Sequence, residues 1–216
     1  MKERRKQLCL NKLIDATDIC GSADGTVFEI VQNIYKALSP LPEFIGVAPF
    51  GSSTKGYFDR SAGSDFDMYI FEDKTLRDGG DRLLEELHPV LLPYMKKGTP
   101  VQIVEQFFNE ENIRNLMGMI DSVPHNYFYL TCFANLCRPM RGEKAAYWRN
   151  VIKEELAHQP RANQEKFILL IVNSLVNAER ISFPKMSERI DGFDSEAYLL
   201  SRRILWTRRV EKLYLG

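Results

Sequence analysis

The stretch Phe50-Gly-Ser-Ser-Thr-Lys-Gly-Tyr-Phe-Asp-Arg-Ser-Ala-Gly-Ser-Asp-Phe-Asp-Met-Tyr-Ile-Phe71 decides how this chain is read. Gly51-Ser52 closes one apolar run, a polar loop from Ser53 to Ser64 follows, and Asp65-Phe66-Asp67 opens a second apolar run. In an extended strand alternate side chains share a face, so Asp65 and Asp67 project together while Phe66, Met68 and Ile70 pack behind them. Two carboxylates held that close repel unless a cation lies between them, and hard oxygen ligands suit Mg²⁺ or Mn²⁺. Gly51 lets the backbone approach a bound group, and a serine at such a turn offers both hydroxyl and N–H to a phosphate oxygen. Together these parts imply a metal and phosphate cradle. A lone Gly-Ser or a lone Asp-x-Asp would be no more than a solvated turn before a strand. Their occurrence in order, with strand patterns on both sides, is what argues for a site.

Outward from this segment, residues 45–50, 66–71 and 101–108 read as strands, rich in Val, Ile and Phe. Val27, Ile30, Val31, Ile34 and Leu38 fall on one face of an amphipathic helix stopped by Ser39-Pro40, which would lie against the sheet. Residues 81–97 are helical in pattern, with Pro89 and Pro93 expected to break or kink them. From Glu110 onward almost everything reads as helix. One helix is opened by Pro124 and runs towards Cys137, Gly142 punctuates, and helices over 144–157, 163–180 and 194–215 follow. The run from Phe167 to Val172 is apolar all round, which places its helix at the centre of a bundle.

Composition narrows the possible roles. Lys and Arg total 29 against 29 Asp and Glu, so the formal charge is zero, which argues against a broad coat for a phosphate backbone. With 44% hydrophobic and 27% charged residues the chain sits in the range of folded domains. The longest apolar run falls far short of the roughly 18 residues that a bilayer crossing needs. The basic residues Lys2, Arg4, Arg5 and Lys6 are followed by Asn11, Lys12, Asp15 and Asp18, which interrupt any signal-peptide core, so a cytoplasmic, unprocessed chain is expected. Cys9, Cys20, Cys132 and Cys137 include no Cys-x-x-Cys, which favours small buried thiols over a zinc site. The P-loop and dinucleotide fingerprints are both missing.

The motif also resembles a family. Phe50-Gly51-Ser52, Gly56, Ser64-Asp65 and Asp67 are similar to the signature of the polymerase-beta-type nucleotidyltransferase superfamily, over residues 44–72 and with a spacer at the long end of the family range. The resemblance implies an α/β (α+β) nucleotidyltransferase fold with a short mixed sheet over residues 1–110, and a C-terminal helical bundle domain over residues 111–216 that closes over the cleft. It implies that Gly51, Ser52 and Ser53 hold the phosphates of a nucleoside triphosphate, and that Asp65 and Asp67 are catalytic and ligate Mg²⁺ or Mn²⁺. The activity implied is transfer of a nucleoside monophosphate to an acceptor hydroxyl with release of pyrophosphate. A faint similarity of residues 164–189 to aminoglycoside-type adenylyltransferases favours a small-molecule acceptor. The alternatives are an RNA or protein acceptor, including the action of a toxin of a toxin–antitoxin pair, and a non-catalytic nucleotide-binding relic.

Members of that superfamily carry a third acid on a neighbouring strand, and here two residues compete for the position. Glu105 stands a few residues before an acidic helix start, where related small-molecule transferases place it. Period-2 logic disagrees, since Val101, Ile103 and Glu105 share a face and Gln102 takes the polar slot, so a bulge would be needed to bring Glu105 round. Lys55 and Arg60 in the spacer could touch a triphosphate. Arg202, Arg203, Arg208, Arg209 and Lys212 are read as the solvated face of the last helix, and Asn173 and Asn177 as polar groups satisfied within the bundle. Tyr127, Phe128, Tyr129, Trp148 and Trp206 are read as core, and the three histidines suggest no recognisable site.

Overall fold

Three strands form the sheet around which the other elements are placed, in a computed structural model that describes residues 26–54, 65–76, 82–98, 100–114 and 127–216. Helix α1 (Thr26–Leu38) leads into β1 (Phe44–Phe50), which runs into a tight helical turn at Gly51–Thr54. After the polar loop come β2 (Phe66–Asp73), α2 (Arg82–Lys96) and β3 (Val101–Phe108). The helical half comprises α3 (Glu110–Arg114), α4 (Tyr127–Leu136), α5 (Lys144–Ala157), α6 (Arg161–Arg180), α7 (Phe183–Arg189) and α8 (Ser195–Tyr214). β1 pairs antiparallel with β2, and β2 parallel with β3, so the sheet is mixed with the order β1-β2-β3. A parallel pair needs a crossover, and α2 supplies it. The chain is therefore an α+β protein.

The alternation of each strand divides the apolar residues between two faces. Val47, Phe66, Met68 and Ile70 pack against α1 and α2, through Val27, Ile30, Val31, Ile34, Leu83 and Leu87. Ala48, Phe71 and Phe108 face the other way and join Phe133, Trp148, Ile152, Phe167 and Trp206 of the helical half in one continuous cluster. The boundary drawn at residue 110 thus falls inside α3, and an apolar core crosses it. Trp148 and Trp206 are core residues, as their sequence setting suggested. The outer edge of β1 is clipped by the loop between α4 and α5: Val47 N–H donates to the Arg141 carbonyl and Arg141 N–H to the Val47 carbonyl, both at 2.8 Å. Backbone meets backbone closely here, and a Cβ on Gly142 would lie 2.2 Å from the Ile45 carbonyl oxygen.

Several expectations need correction. α2 continues through both prolines. Pro89 and Pro93 are exposed, and the carbonyls they deprive of donors, on Glu85 and Pro89, belong to exposed residues that water can serve, while Leu83, Leu87, Leu91 and Tyr94 hold the other face to the core. α6 is not surrounded: Phe167, Ile168, Ile171, Val172, Leu175 and Val176 are buried, but Leu169 is 55% exposed. Asn173 accepts a hydrogen bond from exposed Arg203 and Asn177 faces solvent, so neither serves the bundle interior. The helix α7 escaped the sequence reading. α8 begins at Ser195 because Asp194 caps it, its carboxylate accepting from the N–H groups of Glu196 and Ala197.

The last helix is not a uniformly solvated face either. Arg202 is buried and its Nη2 lies 2.9 Å from Oε1 of the equally buried Glu179 on α6. Tyr198 hydroxyl donates to the other oxygen of Glu179 at 2.8 Å, and Trp206 Nε1 donates to Oε1 at 3.3 Å. Within the described residues, no single helix is long and apolar enough to cross a membrane.

Candidate active site

The site is built where β1 turns towards β2. Register opposes Phe50 to Asp67, which brings the end of β1 and its turn alongside the start of β2. Gly51 adopts φ 68°, a left-handed conformation that glycine enters without a Cβ penalty. The chain packs so tightly there that a Cβ on Gly51 would sit 1.9 Å from Asp67 Oδ2. Only the bare backbone of a glycine can press against this carboxylate. The adjoining turn is held by Thr54, whose hydroxyl donates to the Gly51 carbonyl at 3.1 Å.

Ser52 lies in the same turn and is 6% exposed, with its Oγ buried and without a hydrogen-bond partner among the described residues. Buried hydroxyls are ordinarily paired, and leaving one unpaired costs about 1–3 kcal/mol. Ser53 belongs to the turn through its backbone, while its side chain lies outside the described set. Asp67 is 9% exposed and Asp65, just before β2, is half-buried. These two carboxylates start the same strand two residues apart, as the alternation requires.

The third position does not fall where Glu105 was expected. β2 and β3 pair without interruption from Phe66↔Val101 to Asp73↔Phe108, so no bulge rotates β3. Asp67 is opposed by Gln102, and Glu105 by Ile70, whose side chain faces α1 and α2. Glu105 is therefore on the sheet face opposite the aspartates, and the position beside Asp67 is an amide. Among the described residues, no group of three His, Cys, Asp or Glu is placed to hold a metal ion. The donor set at the turn is two carboxylates, one serine hydroxyl and backbone amides. Gly56, Lys55, Arg60 and Ser64 lie outside the described residues.

Next to the aspartates on the same face is a set of residues that the sequence reading missed. Phe50 stacks on Tyr69 with ring centroids 4.0 Å apart. The guanidinium of Arg138, from the loop between α4 and α5, lies 5.4 Å from the Tyr69 ring centre and 5.5 Å from that of Trp206. Arg138 Nε donates to Asn135 Oδ1 at 2.8 Å, Asn135 Nδ2 to Gln106 Oε1 at 3.1 Å, and Gln106 Nε2 to the Glu105 carbonyl at 2.9 Å. Gln106, Asn135 and Arg138 are all buried. The one local signal was a polar Gln106 on the strand face it shares with Val104 and Phe108, since Asn135 and Arg138 are close to it only in space.

The fold and site together define an α+β chain with an acidic, glycine-serine turn at the mouth of a small mixed sheet. Compared with protein-family models, with curated proteins and with solved structures, the chain matches none.

Proposed function

We propose that this chain is a metal-dependent nucleotidyltransferase, which transfers a nucleoside monophosphate from a nucleoside triphosphate to a hydroxyl of a small-molecule acceptor and releases pyrophosphate. The observation that carries the reading is the Ser52 hydroxyl, buried without a partner among the described residues beside a glycine backbone pressed against the Asp67 carboxylate. The donor set fits a hard divalent cation: Asp65 and Asp67 would hold Mg²⁺ or Mn²⁺, with substrate phosphate and water completing the shell. Such an ion supplies neutralisation of the charge that grows on a transferring phosphoryl group. Ser52 then donates its hydroxyl hydrogen to a phosphate oxygen, and the bare Gly51 backbone allows that phosphate to approach the aspartates. Asp65 and Asp67, fixed at the start of β2, orient the reacting phosphate relative to the acceptor hydroxyl. The nucleotide and Mg²⁺ would be those of the cytoplasm.

A second reading is favoured by one observation. Gln102 opposes Asp67 where superfamily members place an acid, and an amide cannot take the proton of an attacking hydroxyl. On that reading the chain binds a nucleotide without transferring it.

Incubation with α-labelled triphosphates, Mg²⁺ and separate pools of aminoglycosides and other small hydroxyl compounds, tRNA and protein tests both. Label in the small-molecule pool, abolished in Asp65→Asn and Asp67→Asn with the fold intact, is the expected outcome. Label in tRNA or protein would move the acceptor class. Label in no pool, with wild type and Asp67→Asn binding triphosphate alike, would select the binding-only reading. Substantial transfer by either variant would overturn the metal assignment.

A further inference from the structure

Two arginines are buried among the described residues, and their surroundings differ in kind. Arg202 has a buried carboxylate, Glu179, for a counterion. Arg138 is 9% exposed and has none among the described residues: Nε is spent on Asn135, and the guanidinium lies over the rings of Tyr69 and Trp206. Nη1 and Nη2 meet no acceptor among the described residues, and neither is sealed from solvent. The surroundings add positive charge, for Arg149 donates from Nε to the Leu136 carbonyl and from Nη2 to the Arg138 carbonyl, and Arg209 Nε donates to the Cys137 carbonyl. A guanidinium taken out of water without a counter-charge is costly, and proteins keep one only where something repays it.

The geometry says what that is. A guanidinium anchored at Nε and held over two aromatic rings keeps the edge that carries the Nη hydrogens for a ligand. That edge matches two oxygens of a phosphate or carboxylate, the bidentate pairing for which arginine is suited and lysine is not. The chain Gln106–Asn135–Arg138 sets the direction from β3, so the fork does not have to search for its ligand. Tyr69, under the guanidinium, is two residues along β2 from Asp67 on the same face, a spacing of about 6.6 Å.

We propose that Arg138 is a second anion site: its Nη edge binds an oxyanion of the phosphate class carried by a substrate, on the sheet face that bears Asp67. The anion is either a phosphate of the nucleotide itself or a phosphate of the second substrate. The inference rests on the proposed nucleotidyltransferase reading only for which molecule brings the anion. Binding in the presence of EDTA requires neither metal nor transfer.

The test titrates inorganic pyrophosphate and inorganic phosphate into the full chain in EDTA, followed by calorimetry and by thermal shift. Wild type and Asp67→Asn should both bind, and Arg138→Met should bind at least about tenfold more weakly. Without ligand, Arg138→Met should melt at or above the wild-type temperature, since it removes an uncompensated charge. Equal affinity in wild type and Arg138→Met, or no oxyanion binding by the wild type, overturns the proposal, as does a lower ligand-free melting temperature with unchanged affinity. If the Met variant does not fold, Arg138→Lys carries the test: it keeps the charge without the fork and should bind about tenfold more weakly, and wild-type affinity in it overturns the proposal. Repeating the phosphate titration with saturating ATP distinguishes the sources. Phosphate that still binds assigns the anion to the second substrate, and displacement by ATP assigns it to the nucleotide. Arg138-dependent binding without transfer to any pool would leave this site standing and remove the transferase reading.

Discussion

Gly51→Ala is the sharpest perturbation available, because one methyl group strikes two features at once. At φ 68° an alanine pays about 1–2 kcal/mol for the left-handed conformation. Its Cβ would also sit 1.9 Å from Asp67 Oδ2, so the carboxylate must retreat by more than about 1 Å to reach an ordinary non-bonded separation. Because Asp67 is nearly buried, that retreat forces an off-rotamer side chain, for a further ~0.5–1.5 kcal/mol. The sum is a loss of about 1.5–3.5 kcal/mol, or roughly 3–14 °C in melting temperature for a chain of this size. The functional effect should be larger in proportion, since displacing a catalytic group by about 1 Å can cost ~100-fold in rate. Gly98→Ala is the control: Gly98 has φ 72° and nothing within 4 Å of the added Cβ, so it should lose ~1–2 kcal/mol and leave transfer and Mn²⁺ binding untouched. Melting curves, Mn²⁺ titration by electron paramagnetic resonance and a transfer assay on both variants decide the matter. A Gly51→Ala protein that binds Mn²⁺ and transfers like the Gly98→Ala protein would refute the reasoning.

Other substitutions follow from the same geometry. Gln102→Glu places a third carboxylate opposite Asp67 and should raise Mn²⁺ affinity about tenfold, whereas Glu105→Gln should change transfer less than about twofold; a Glu105→Gln protein as inactive as Asp67→Asn would contradict the register argument. Glu179→Ala removes the buried carboxylate that Arg202, Tyr198 and Trp206 share and should cost about 3–5 kcal/mol in urea unfolding. Pairing Glu179→Leu with Arg202→Met should recover most of that, and a single variant as stable as the wild type would show the pair to be inert. Burial pushes the Cys132 thiol up to about 11 and raises that of Cys137 as well, so both stay protonated until the pH climbs well above 9. Peptide mapping after alkylation at pH 8.5 should find both unmodified in the native protein and labelled in urea, and rapid native labelling would contradict their burial.

What the sequence disclosed was what period-2 and period-3.6 patterns can carry. The three strands and the amphipathic α1 are local, and each is where its pattern put it. The third position was legible too, in that strict alternation pointed to Gln102; the expectation of Glu105 needed a bulge that β3 does not have. The prolines of α2 misled because a rule about lost hydrogen bonds says nothing of which carbonyls face water. Glu179 with Arg202, and Gln106 with Asn135 and Arg138, are joined across 23, 29 and 3 positions, and nothing along the chain marks the longer two pairs as neighbours. In the sequence Arg202 reads as one more cation on an amphipathic face, and only packing against α6 shows its partner.

The clip between Val47 and Arg141 has a consequence for solubility. Phe44-Ile-Gly-Val-Ala-Pro-Phe50 is uncharged and almost wholly apolar, and as an outermost strand it could template the addition of a strand from another molecule. Arg141 occupies the backbone donor and acceptor at the middle of that rim, and Pro49 offers no N–H near its end. The clip needs the close approach that Gly142 alone permits, so this glycine acts as a gatekeeper against self-association from outside the segment it protects.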